Sequence, residues 1–142
     1  PFRMYKFRSM HNDAEAAGPQ LCRGRKDPRL TRVGRFLREH HLDELPQLWN
    51  VLRGDMAFIG PRPERRFYIE QIVRQDQRYP LLYQIRPGVT SYATLYNGYT
   101  DTPEKMLRRL ELDLYYLEHR SLFLDLKILW LTFYRIVTGH KF

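Results

Sequence analysis

"HHLDELPQLWN", residues His40 to Asn50, places two acids, Asp43 and Glu44, just ahead of Pro46. Proline has no N–H and is tolerated in a helix only within the first turn, where N–H groups lack an intrahelical acceptor. Asp43 and Glu44 are therefore expected in that same first turn, where free N–H groups and the helix dipole favour ionised carboxylates. The helix should run from about Asp43 to Leu52 and bury a stripe of Leu45, Leu48, Trp49 and Leu52. Consecutive helical residues point about 100° apart. The two acids therefore cannot serve the same role at one spot, and one can face a substrate while the other holds a metal. Acids are also ordinary first-turn residues, so their surroundings decide between the two readings.

Those surroundings are basic. Lys6 and Arg8 lie in "FRMYKFRSM", an alternating segment that reads as a short strand or extended stretch, and Arg23, Arg25, Lys26, Arg29, Arg32, Arg35 and Arg38 precede the acids. Such a run is usually a solvated face. A phosphate-bearing substrate, however, needs cations to neutralise it. Carboxylates that bind Mg²⁺ within a ring of Lys and Arg are the composition expected of phosphoryl transfer. "GPRP", Gly60 to Pro63, adds a stiff element. Pro61 fixes its own φ and Pro63 pushes Arg62 into an extended conformation, so the guanidinium is presented from a rigid frame. "RPG", Arg86 to Gly88, places Arg86 just before the centre of a type II turn. His40 and His41 lack Cys partners and HExxH spacing, and read as structural or surface residues.

The chain has 142 residues, a net charge of +8 and 43% hydrophobic side chains. This allows one domain with a core, excludes a disordered tail, and calls for an anionic partner: nucleic acid, membrane surface or phosphorylated substrate. The sole cysteine, Cys22, excludes an intrachain disulfide and a Cys-rich zinc site. No signal peptide is evident, and the abrupt start at "PFRMYKFRSM" reads as a cut from a longer polypeptide.

Further elements follow from pattern. His11 to Pro28 reads as a loop. Thr31 is an N-cap for a helix with apolar positions Val33, Phe36 and Leu37. Glu64 to Gln77 reads as a helix on Tyr68, Ile69, Ile72 and Val73, and "RPGVTSYATLY" as a turn and a strand. Thr102-Pro103 starts a helix that ends near His119. A final helix covers "SLFLDLKILWLTFYRIV" and admits two readings, a buried core helix or one lying in a membrane interface.

"YKFRSM", "DPRLTRVGRFLR", "LDELPQLWNVLRGDMAFIGPRP" and "RPGVT" together resemble the bacterial sugar transferases, the monotopic polyprenyl-phosphate phosphoglycosyl transferases, in order and approximate spacing. The resemblance implies transfer of a sugar 1-phosphate from a UDP-sugar to polyprenyl phosphate, commonly undecaprenyl phosphate, with release of UMP and a requirement for Mg²⁺. It implies that Asp43 is a nucleophile forming a phosphosugar-enzyme intermediate and that Glu44 is a metal ligand. Lys6, Arg8 and Arg62 match positions associated with substrate phosphates and nucleotide; Arg32 and Arg86 join them as phosphate-binding candidates. It also implies an N-terminal membrane helix upstream of residue 1. The expected protein is an α+β catalytic domain over residues 1–142, mainly helical with a few short strands. It would rest as one compact unit on the cytoplasmic face of the bacterial inner membrane, with homo-oligomers possible and no nucleic-acid partner. Two departures stand out: His41 where Ser or Thr is common, and Ser91, Tyr92 and Thr94 where many members read Gly-Trp-x-Gln. From composition alone the rival is a basic nucleic-acid-binding module, which should carry stacking aromatics interleaved with cations.

Overall fold

A computed structural model describes residues 2–16, 18–21, 27–98, 100 and 102–138. The loop expected between His11 and Pro28 holds in its described part, while Cys22, Arg23, Arg25 and Lys26 fall outside the described residues. The N-terminal segment is extended, and among the described residues it forms a single bridge, Met10 antiparallel to Leu30, in place of a strand ladder. Thr31 caps α1 (Arg32–Glu39) as its sequence position predicts, its hydroxyl accepting the Gly34 N–H at 2.8 Å. The buried residue of α1 is Gly34, because the Ser9 carbonyl passes where a Cβ would stand. Val33 and Phe36, expected inside, are exposed.

Asp43 and Glu44 lie in a 3-10 turn (Leu42–Glu44), and α2 (Gln47–Leu52) starts only after Pro46. The proline does mark the helix start, but the acids belong to the turn before it. A larger correction concerns the face. Gln47 and Asn50 are buried, whereas Leu45, Leu48, Trp49 (57% exposed) and Leu52 (79% exposed) point outward. The expected stripe exists and faces the wrong way for a core.

β1 (Ala57–Ile59) pairs in parallel with β2 (Gly88–Thr90), with Ala57 opposite Gly88 and Ile59 opposite Thr90. Parallel neighbours need a crossover. It is supplied by α3 (Arg66–Gln75) and a 3-10 turn over Tyr79–Gln84. Gly88 has no room for a Cβ, since one would collide with the backbone of Gly60. The strand expected through "SYATLY" ends at Thr90. Ser91 instead caps a short helix, α4 (Tyr92–Asn97), accepting the Thr94 N–H at 2.9 Å. The departing residues Ser91 and Thr94 are thus a matched cap pair.

α5 (Pro103–His119) begins at the Thr102 cap and ends at His119 as expected. Its Met106, Leu110 and Leu114 pack on Tyr68 and Ile72 of α3 and on Tyr79 and Leu82. α6 (Leu122–Thr138) adds a second cluster in which Ile128 meets Leu95 and Tyr116. Ile128 is the buried residue of α6; Leu122, Phe123, Leu126, Trp130, Phe133 and Val137 are exposed. Of the two readings, a mostly buried helix is not what forms: one face of α6 packs in this cluster, and the rest of its apolar surface is exposed. Among the described residues no helix is long and apolar enough to cross a membrane. The fold is α+β and mainly helical, as expected.

Candidate active site

The site forms where the N-terminal segment crosses the turn that carries the two acids. The Phe7 N–H donates to the Asp43 carbonyl at 2.9 Å, and the Thr31 N–H donates to the Ser9 carbonyl at 3.1 Å. These bonds lay the segment across α1 and the 3-10 turn and bring Lys6 to Glu44, with Nζ 2.9 Å from Oε1. Arg62 arrives from the other side, after β1. Its NH2 donates to the same Oε1, and its NH1 lies 3.4 Å from Oε2. Glu44 is thus held between an ammonium and a forked guanidinium.

Asp43 takes different partners. It is 6% exposed, and its Oδ2 lies 3.9 Å from Nε of Arg38, which also donates to the Ser9 hydroxyl at 2.9 Å. His41, ahead of both acids, adopts φ 55°, and its side chain makes no capping bond. Left-handed backbone is uncommon outside glycine, with Asn, Asp and His better represented than most. The turn that aims the acids therefore begins at a constrained residue.

Burial by itself would raise the Glu44 pKa, but Arg62 and Lys6, through charge and hydrogen bonds, hold it down to about 2. Burial and the nearby Arg62 lower the Lys6 pKa against the pull of Glu44. Arg62 loses to burial but gains more from Glu44 and stays firmly charged. Two adjacent carboxylates offer hard oxygen donors of the kind Mg²⁺ takes, one or two from protein and the rest from water and substrate phosphate. Among the described residues no cluster of three or more acidic, His or Cys side chains forms a fuller metal cage.

Behind Arg62 lies a second charged array that pattern reading missed. Glu64 accepts from Arg109 NH1 at 2.7 Å, and both line a small cavity with Arg62, Tyr79 and Asp113. Asp113 is buried on α5 with its Oδ1 unpartnered, and burial pushes its pKa up to about 7 despite Arg109. Its signal was an acid in the apolar register of α5, beside Leu110 and Leu114.

The remaining predicted residues are dispersed. Arg8 is exposed and donates to Asn12 at 2.8 Å; Arg32 is exposed at the start of α1. Arg86 is exposed with its guanidinium against Gly54, so no described contact joins it to Glu44. Arg29, from the basic run, is structural: it grips Asp27 at 2.6 and 2.9 Å and the Leu21 carbonyl at 3.1 Å. His40 also has a structural role, its Nδ1 2.9 Å from the Phe36 carbonyl.

A sequence profile described as "Bacterial sugar transferase" matches residues 1–139, the span that holds the whole constellation around Glu44. The chain belongs to the bacterial sugar transferase family. Among its relatives, the UDP-N-acetylgalactosamine-undecaprenyl-phosphate N-acetylgalactosaminephosphotransferase of Aeromonas hydrophila is 42% identical over 138 residues, 97% of this chain and 32% of the relative. The UDP-glucose:undecaprenyl-phosphate glucose-1-phosphate transferase of Klebsiella pneumoniae is 43% identical over 140 residues, 95% of this chain and 29% of the relative. A Caulobacter vibrioides protein of the latter name is 41% identical over 141 residues, 97% of this chain and 52% of the relative. The chain thus spans about a third of the first two relatives. These family relatives are named as transferases and lend no support to a nucleic-acid-binding module.

Proposed function

We propose that this chain is the catalytic domain of an Mg²⁺-dependent enzyme that moves a sugar 1-phosphate from a UDP-sugar to undecaprenyl phosphate. The observation that carries the reading is Glu44 clasped by Lys6 and Arg62 beside the buried Asp43. The names of the family relatives supply the class of reaction.

Asp43 is the nucleophile of this reading. One of its carboxylate oxygens attacks the sugar-side phosphorus of the UDP-sugar, and the bond from that phosphorus to UMP breaks. UMP leaves with the electron pair. An oxygen of the polyprenyl phosphate then attacks the resulting acyl phosphate, its phosphorus–Asp43 bond breaks, and the carboxylate is restored. Lys6 and Arg62 neutralise the diphosphate, with Arg62 suited to two oxygens at once by its planar fork. Glu44 would hold Mg²⁺, which when bound offsets charge on the phosphates.

In this reading the enzyme works at the cytoplasmic face of the bacterial inner membrane, where it would meet the lipid acceptor. The outward apolar faces of α2 and α6 support this, because exposed Trp49, Leu52, Phe123, Trp130 and Phe133 suit an interface better than water. Full-length protein should release UMP from one of a panel of UDP-sugars when given undecaprenyl phosphate and Mg²⁺. No release with any sugar would defeat the reading.

A further inference from the structure

Asn50 has no solvent exposure and carries no charge, yet its side chain holds the N-terminal segment by two directed bonds. Its Oδ1 accepts the Tyr5 N–H at 3.1 Å, and its Nδ2 donates to the Arg3 carbonyl at 2.8 Å. One planar amide thereby stands in for the edge of a neighbouring β-strand, meeting the acceptor of residue 3 and the donor of residue 5. Only an amide supplies both functions from one group; a carboxylate cannot donate and a hydroxyl is too short to do both. The backbone carbonyl of Asn50 also accepts the N–H groups of Asp55 and Met56, which fixes the turn into β1.

The clamp sits one residue before Lys6, and the Phe7–Asp43 bond follows one residue after it. We propose that Asn50 is a positioning residue for the reaction: it locks the extended segment so that Lys6 is delivered to Glu44. This rests on the reading of Lys6 as part of the site. An extended segment with a free edge slides readily, and a misplacement of about 1 Å at a phosphate contact can cost on the order of a hundredfold in rate.

The test acts on the clamp from both sides in the full-length enzyme, assayed with UDP-sugar and undecaprenyl phosphate. Tyr5→Pro removes the donor without touching the core, and Tyr5→Ala keeps it as a control. Asn50→Asp keeps the acceptor but, when ionised, opposes the Arg3 carbonyl and the Asp55 carboxylate, 3.4 Å from Nδ2 in the native site. Tyr5→Pro should lower kcat by about tenfold or more while Tyr5→Ala stays near wild type. Asn50→Asp should lose activity at pH 8 and recover it towards pH 6, as a protonated carboxyl regains a donor. On a Lys6→Met background, Tyr5→Pro should cost nothing further. Wild-type kcat in Tyr5→Pro, or the same loss with and without Lys6, would overturn the role of Asn50 alone. Full turnover by Lys6→Met would instead remove Lys6 from the reaction, and the proposal with it.

Discussion

Asp43 and Glu44 are neighbours in the chain and answer to different cations. Asp43 faces Arg38 at 3.9 Å, whereas Glu44 is clasped by Lys6 at 2.9 Å and by both amino groups of Arg62. The tight 3-10 turn separates their directions, so one carboxylate can be committed to cations while the other is kept for chemistry. Glu44 is the committed one.

Glu44 should therefore matter to stability as well as to turnover. Its folded pKa, about 2, lies below its ordinary 4.5. The stabilisation is complete above the ordinary value and is lost as pH falls through about 2; it amounts to on the order of 3 kcal/mol. Glu44→Gln leaves Lys6 and Arg62 facing each other unpaired. Urea midpoints at pH 6 should fall, the acid-side slope should flatten, and turnover should drop by orders of magnitude. A variant as stable as wild type at pH 6 contradicts the clasp, and full wild-type activity in excess EDTA contradicts the metal.

Asp113 should tilt the pH curve the other way. Its folded pKa is raised to about 7 by burial, so between its ordinary value of 3.8 and neutrality the folded protein holds a proton that the unfolded chain has lost. Stability then declines as pH rises through that window. Asp113→Asn removes the titration, and its advantage over wild type should grow from pH 5 to pH 8. Parallel curves for the two proteins would show that Asp113 is already ionised in the fold.

Arg62→Lys should fold and yet lose most of its kcat/KM, because an ammonium cannot span both Glu44 oxygens and a substrate phosphate. Steady-state kinetics on the purified variant, with circular dichroism as the folding control, decides this. An unchanged kcat/KM takes Arg62 out of the site.

The helix starts at Thr31 and Thr102 were legible because a capping hydroxyl is a local feature. The face of α2 was not. Leu45, Leu48, Trp49 and Leu52 carry a helical period, but so do Asp43, Gln47 and Asn50. Choosing between the two stripes by hydrophobicity ignores whether the polar one finds buried partners. Here the polar stripe has buried partners to satisfy it: the Arg3 carbonyl and Tyr5 N–H for Asn50. The near-continuous apolar pattern of α6 left its packing open between core and interface. Asp43, Glu44, Lys6 and Arg62 could be singled out because each lies in a distinctive local motif, and the structure brings Lys6 and Arg62 to Glu44; Glu64–Arg109 joins distant segments of the chain that no local pattern links. Arg86 is exposed beside Gly54 and away from Glu44, because a turn motif fixes a backbone shape and leaves open which way the side chain reaches.

That inverted helix makes its own prediction. Trp49→Glu with Leu52→Glu should leave stability unchanged, since both side chains are already in solvent, but should weaken co-sedimentation with anionic phospholipid vesicles. A large loss of stability with vesicle binding intact would return the stripe to a core.

The nucleophile assignment for Asp43 is the most exposed claim. A carboxylate is a weak nucleophile, and Asp43 is buried with Arg38 as its nearby cation. In this mechanism the cluster around Glu44 would compensate on the electrophile's side, with Lys6 and Arg62 drawing charge from the phosphates under attack. The rival mechanism has the polyprenyl phosphate attack directly, with Asp43 orienting or deprotonating it. The two differ in what happens when the lipid acceptor is withheld. Covalent catalysis requires one equivalent of UMP to be released and a phosphosugar to remain on Asp43, detectable as a mass increase on the peptide that carries it. It also requires ping-pong kinetics. Asp43→Asn should fold and abolish both adduct and turnover. Kinetics that demand both substrates bound at once, with no adduct on wild-type protein, would falsify the covalent step and leave Asp43 a base or an orienting group.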